Sequence, residues 1–262
     1  MTAVAGRIAR EKRFWNEHYR PEMYAAWERK SFQEWISSGP WGEAVKWLGD
    51  VRGRRVLCCG VGSSAVLFAQ AGAEVWGFDI SERQVEAVQW LAAREGQVID
   101  LRVMPFEALD YPDGFFDLAY GSAILHHVDL LLASSELARV LKPGGRAAFV
   151  EPLAENPLLN FARRHLPYRG KHRTEDESPL TFPDIEVFGR AFRTCAHHES
   201  RLLAMLRHRV TRSRRIVGWL EAVDRLLLPA FPPLRRLCAS TWIGVTTARA
   251  KDVAQPAWQA CA

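Results

Sequence analysis

Val56-Leu57-Cys58-Cys59-Gly60-Val61-Gly62-Ser63-Ser64-Ala65 decides how the chain is read. A β-favouring run from Arg55 to Cys59 passes into two glycines one residue apart, and after Ser63 comes an apolar, helix-compatible stretch, Ala65 to Ala69. The pattern is strand, glycine turn, helix. Gly60 and Gly62 permit a tight turn and a close backbone approach, and the start of the helix offers free N–H groups to a polar ligand. Two glycines carry little weight alone. A second strand-like run, Gly72 to Asp79, ends in a carboxylate roughly 20 residues after the first glycine, the offset at which an acid reaches a pair of ribose hydroxyls. The expectation is a nucleoside-containing cofactor.

Working outward from Gly53, strand 54–59, helix 63–71, strand 74–79, helix 82–94 and a strand within 97–104 alternate with short loops. Such an alternation calls for a parallel sheet covered by helices on both faces. Phe115 to Gly121 reads as a fourth strand, followed by a helix from about 130 to 141, a turn Lys142-Pro143-Gly144-Gly145 and a fifth strand, Arg146 to Glu151. Residues 152–183 are rich in proline and irregular, with one short helix near 157–165. A helix over 184–192, a strand within 193–206, an amphipathic helical stretch 212–238 broken by Pro229, Pro232 and Pro233, and a β-prone run Trp242 to Ala248 complete the chain. Ahead of the core, residues 1–49 are helical in pattern and dense in aromatics, among them Phe14, Trp15, Tyr19, Tyr24, Trp27, Trp35, Trp41 and Trp47. A lid over the cofactor turn and helices packed on the sheet edge are both consistent with that density.

With 262 residues, 48% hydrophobic and 25% charged, the chain has ample core for one compact domain. The division expected is 1–49 as helical lid, 50–151 as cofactor-binding core and 152–262 as acceptor-pocket excursion with the last strands. The net charge is +5, concentrated in Arg163–Arg173 and Arg201–Arg215. A basic patch suits an anionic substrate, nucleic acid, a membrane surface or plain solvation. Five cysteines without a C-x-x-C suggest neither a disulfide framework nor a zinc cluster, and no His/Cys/Asp group has metal-ligand spacing, so no metal is expected. Met1 to Arg20 has no apolar signal-peptide core, and no run reaches the ~18 uncharged apolar residues of a membrane span. A cytoplasmic protein without stable membrane insertion is expected.

Four segments in order resemble the class I S-adenosylmethionine-dependent methyltransferases, in particular the group related to ubiquinone and menaquinone biosynthesis. They are the Val56–Ser64 turn, Gly77-Phe78-Asp79-Ile80-Ser81, the stretch from Tyr111 to His127, and Leu137 to Gly145, together spanning about 53–151. The resemblance implies a Rossmann-like, doubly wound α/β fold: a seven-stranded sheet with an antiparallel last pair, a helical N-terminal lid and a substrate-capping insertion after strand five. It implies S-adenosyl-L-methionine as cofactor. Gly60 and Gly62 would contact its methionine and ribose parts, Asp79 its ribose hydroxyls and Ile80 its adenine. Phe106 and Glu107 occupy adenine-recognising places, and Gly121 would line the channel near the sulfonium. Cys58 stands where the family usually has an acid, Ser64 where it has a third glycine and Pro105 where a loop Asp is common.

The catalytic candidates at the carboxyl edge of the sheet are Glu151, as base or cation stabiliser, and His126 and His127, of which at most one is expected to face the site. Methyl transfer from a sulfonium asks for a general base only when the acceptor carries a weakly acidic proton. Because the excursion after strand five usually builds the acceptor pocket, its apolar residues imply a largely apolar small molecule: a natural product, prenylated aromatic, quinone or isoprenoid, methylated at O, N or C. Arg163, Arg164, Arg169, Lys171, Arg173, Arg212, Arg214 and Arg215 are candidates for gripping an anionic group on it. A nicotinamide oxidoreductase and a non-catalytic cofactor-binding relative are the alternatives. No nucleic-acid partner is expected, and a homo-oligomer is left open.

Overall fold

The computed structural model describes residues 3–19, 21–24, 31–37, 39–165, 177–206 and 213–248. Seven strands form one sheet: β1 (Arg55–Cys59), β2 (Glu74–Asp79), β3 (Asp100–Val103), β4 (Phe116–Ser122), β5 (Leu141–Pro152), β6 (Thr194–Ser200) and β7 (Ser240–Thr246). Their order is β3-β2-β1-β4-β5-β7-β6. The first five run parallel, and β7 is antiparallel to both β5 and β6. The Rossmann-like α/β expectation holds, including the antiparallel last pair.

β1 is buried along nearly its whole length, so its sequence is continuously apolar instead of alternating, as a central parallel strand covered on both faces requires. Leu57 and Cys59 face one core cluster, with Phe78, Phe116 and Phe149. Val56 and Cys58 face the other, with Phe68, Val75 and Tyr120. The helices α4 (Ser63–Gln70), α5 (Glu82–Arg94) and α6 (Leu130–Val140) connect these strands. Ser81 caps α5 by accepting from the Gln84 N–H, and Asp129 caps α6 by accepting from Leu131 and Leu132.

One expected boundary moves. The turn Lys142–Gly145 is absorbed into β5, because Leu141 pairs with Phe116 and Arg146 pairs with Leu118, which leaves the residues between them as an irregularity in the ladder. The C-terminal end of the sheet holds this stretch: Thr247 Oγ1 donates to the Lys142 carbonyl at 2.7 Å, and the Gly144 N–H to that of Ala248 at 3.0 Å.

Residues 1–49 do two different things. The helix α1 (Ala3–His18) lies at the carboxyl ends of the strands, whereas α2 (Phe32–Ile36) and α3 (Gly39–Leu48) pack on the sheet. Ala44, Val45 and Leu48 of α3 are buried, Trp47 meets Trp242 at 6.2 Å, and Trp35 packs on Phe68 and Tyr120. The aromatics of α2 and α3 thus serve packing on the sheet, while α1 lies across the strand tips. Trp27 lies outside the described residues.

Beyond β5 come α7 (Pro157–His165), α8 (Phe182–Gly189) and α9 (Arg214–Ala230). Thr181 and Asp184 form a reciprocal capping box that sets the start of α8 ahead of the expected 184.

Candidate functional site

The first βα turn places Gly60 at φ +65, a conformation that costs a residue with a Cβ, and a Cβ there would also meet the Ile124 side chain at 3.1 Å. Gly62 is the extended residue that starts α4, so the helix opens with unblocked N–H groups. Opposite, β2 ends in Asp79, which is 7% exposed. Its carboxylate accepts the Ser81 N–H at 2.9 Å, and burial pushes its pKa up to about 7 against the lowering effect of the Ser81 and Ile80 N–H groups.

A cleft runs over these tips. Gly60, Asp79, Ile80, Phe106 and Glu107 line it, with Ser122, Ile124 and His127 opposite and Arg7, Glu11, Trp15 and Tyr19 of the N-terminal segment above. Phe106 also belongs to the core, edge-on to Phe78 at 5.1 Å. The Glu107 carboxylate accepts the Asp129 N–H at 2.9 Å and is gripped by Arg7, whose guanidinium also donates to the His127 carbonyl. Toward its other end α1 is tied to the start of α5, where Ser81 Oγ donates to Asn16 Oδ1 at 2.7 Å.

Ser122 and Ala123 form one wall of the cleft, and Gly121 sits beneath them, where a Cβ would come within 2.6 Å of the Phe149 ring and 2.8 Å of Ile124. Its small size serves packing. Cys58 is 1% exposed within the core, and burial raises its thiol pKa far above the usual range, so a neutral group stands in place of the family's acid.

Glu151, near the end of β5, is 1% exposed, and its carboxylate is fully engaged. One oxygen accepts the N–H groups of Ile124 and Leu125, both at 2.9 Å, and the other accepts Nδ1–H of His126 at 2.7 Å. It closes the short turn Leu125–His127 and orients the first histidine. The adjacent rings lie side by side, with centroids 4.1 Å apart and planes tilted by 40°: His126 is bonded to Glu151, and His127 lines the cleft, with its Nδ1 3.3 Å from Glu11. His126 Nε2 lies 3.8 Å from Glu177. Linear spacing conceals this neighbour, which comes from a different loop. Arg7, Glu11 and Trp15 carried a legible signal, since i, i+4, i+8 spacing puts them on one helix face.

Arg163 is no anion clamp. Its guanidinium donates to the carbonyls of Leu153 at 2.7 Å and Ala239 at 3.1 Å, pinning α7 to the sheet. Arg169, Lys171, Arg173 and Arg212, and the side chains of Arg164 and Arg214, lie outside the described part of the structure.

The glycine turn, the buried acid ending β2 and the 3-2-1-4-5-7-6 strand order coincide with a match of residues 56–149 to the methyltransferase domain family model. Over that stretch the chain is similar to a methyltransferase domain. Relatives of the domain include the O-methyltransferase rstn1 of Aspergillus nomiae, 34% identical over 45% of this chain and 56% of the relative. The ubiquinone/menaquinone biosynthesis C-methyltransferase UbiE of Bordetella avium is 33% identical over 47% of this chain and 52% of its own. The chain thus spans about half the length of these relatives. Among solved structures, an S-adenosylmethionine-dependent methyltransferase from Mesorhizobium loti superposes with a TM-score of 0.54 at 18% identity, covering 80% of this chain and 99% of its own. Geranyl diphosphate C-methyltransferase from Streptomyces coelicolor does so at 0.54 and 14% identity, covering 95% and 100%. At these identities the structural likeness is one of fold. No described helix is long and apolar enough to cross a membrane.

Proposed function

We propose that the chain transfers a methyl group from S-adenosyl-L-methionine to an O, N or C nucleophile of a largely apolar small molecule, of natural-product, prenylated aromatic, quinone or isoprenoid type. The observation that carries this reading is Asp79: a buried carboxylate at a strand tip, held by backbone N–H groups, across a cleft from the Gly60 turn. A carboxylate accepts up to four hydrogen bonds, so Asp79 has capacity for two vicinal hydroxyls, and Ile80 and Phe106 supply apolar surface beside it for a base. The names of the relatives, an O-methyltransferase and a quinone-pathway C-methyltransferase, support an acceptor of this kind.

When bound, the cofactor supplies a sulfonium leaving group, so the chemistry is an in-line displacement. The protein's part is to align the nucleophile and exclude water. Gly60 and Gly62 leave room for close approach, Asp79 fixes the ribose, and Glu107 with Phe106 borders the adenine end. His127 stands toward the acceptor with His126 packed beside it, and Glu151 acts as a positioning residue that sets the His126 tautomer. The space between α1 and the strand tips is about 70 Å³, well under the ~300 Å³ at which small-molecule pockets begin. In this reading α1 is a lid that swings out to admit the ligands and closes to keep water from the transfer site.

Calorimetry with S-adenosylmethionine and S-adenosylhomocysteine, alongside transfer of a labelled methyl group into quinone, phenol and isoprenoid acceptors, tests the proposal. A ligand at 100 times its dissociation constant adds about 2.7 kcal/mol to stability. Stabilisation by NADH but not by S-adenosylmethionine overturns the reading in favour of an oxidoreductase. Binding with no labelled product from any acceptor favours a non-catalytic relative.

A further inference from the structure

We propose that His126, His127 and Glu177 form a binding site for a divalent transition-metal ion, of the zinc or iron(II) kind, opening on the cleft. The ligand atoms of the three side chains all lie within 4.8 Å of one another. His126 and His127 are buried, with side chains 5% and 9% exposed, and Glu177 is 12% exposed. The 3.8 Å between His126 Nε2 and Glu177 Oε1 is too long for a hydrogen bond. It is close to the spacing of two ligands across one ion: around zinc, with bonds of 2.0–2.2 Å, tetrahedral donors sit ~3.3–3.6 Å apart. Bringing donors that lie within 4.8 Å of one another to that spacing takes a contraction of about 1.5 Å at most.

The surroundings of the rings supply an independent observation. His126 Nδ1 meets the Glu151 carboxylate at 2.7 Å, and His127 Nδ1 faces that of Glu11 at 3.3 Å. Both acids are buried, at 1% and 2% exposed. The carboxylate behind His126 Nδ1 fixes the proton there and leaves its Nε2 lone pair for a metal, the arrangement found behind most metal-binding histidines. His127 Nδ1 is buried without a hydrogen bond, although Glu11 approaches it at 3.3 Å, so this ring is not held as a satisfied structural histidine would be.

Two imidazoles and one carboxylate favour late first-row ions over magnesium or calcium, whose sites are built of oxygen. Three protein ligands leave a position open, and because His127 borders the cleft, that position can take water or an oxygen of a bound molecule. The site does not rest on the methyl-transfer reading.

The test is a Co²⁺ titration of the full chain after dialysis against a chelator, followed by visible absorption, with Zn²⁺ as competitor and neither cofactor nor acceptor present. One equivalent of Co²⁺ should develop d–d bands that Zn²⁺ abolishes. Glu177→Gln and His127→Gln should each weaken uptake on the order of tenfold or more, with the far-ultraviolet dichroism unchanged. His197→Gln, on the edge strand β6, should leave the titration as it was. Glu177 is partly exposed, so its substitution tests the site without endangering the core. Absence of the bands, or equal uptake by Glu177→Gln and the parent protein, overturns the proposal and leaves methyl transfer untouched.

Discussion

Arg7 on α1 grips Glu107 on the opposite wall of the cleft, and this pair joins the N-terminal helix to the loop that follows β3. The two side chains are 18% and 5% exposed, so the bond is shielded from solvent where it crosses the cleft. If α1 is a lid, this is its latch, with the Asn16–Ser81 bond at its other end.

Replacing Arg7 with Met is therefore expected to speed hydrogen exchange along α1 and to accelerate release of S-adenosylhomocysteine several-fold. Glu107 keeps its bond from the Asp129 N–H, so the β3–β4 loop should not loosen. Unchanged exchange along α1 would show that its other contacts hold it shut.

Asp79→Asn should separate function from stability. Loss of hydrogen bonds to a charged acceptor costs about 1.5–3 kcal/mol each in cofactor affinity, read by calorimetry. The free protein should respond in the opposite sense. The folded carboxyl titrates near 7, raised from 3.8 by burial, so its burden on stability is absent below pH 4, grows as pH rises toward 7 and is constant above. A gain in melting temperature at pH 8 that vanishes near pH 4 is expected. Full cofactor affinity in the variant would remove Asp79 from the site.

Glu151→Gln keeps an oxygen for the Ile124 and Leu125 N–H groups but presents a donor to His126 Nδ1 in place of an acceptor. The expected outcome is a changed His126 tautomer, visible in ¹⁵N imidazole shifts, and a fall in kcat with little change in cofactor affinity. A lower melting temperature with an unaltered tautomer would reduce Glu151 to a turn-closing residue.

Gly121→Ala should destabilise by about 1–3 kcal/mol, because the new methyl has to displace the Phe149 ring. Denaturant unfolding with an unchanged m-value checks this, and Phe149→Leu in the same chain should recover part of the loss. An Ala variant of parent stability with impaired methyl transfer would return Gly121 to the channel wall.

What the sequence determined by itself is local or periodic. The continuous apolar runs of β1 and β4, the turn at Gly60 and Gly62, and the acid ending β2 are contiguous signals, and the alternation of strand and helix leaves few topologies open. Parallel pairing then brings Gly60 and Asp79 to the same sheet edge with no further information. What tertiary structure alone decided is which groups from distant segments share a volume. That the Phe149 ring fills the space beside Gly121 is visible only in the folded chain. Glu151 reads as a free carboxylate until two N–H groups and a histidine are seen to use it, and Arg163 reads as an anion clamp until it is found on two backbone carbonyls. Glu177 has no linear relation to His126 and His127, and only the path of the chain after β5 sets it 3.8 Å from an imidazole. A side chain's residue type bounds the bonds it can make, but which of them it makes depends on neighbours many residues away, and those are chosen by packing.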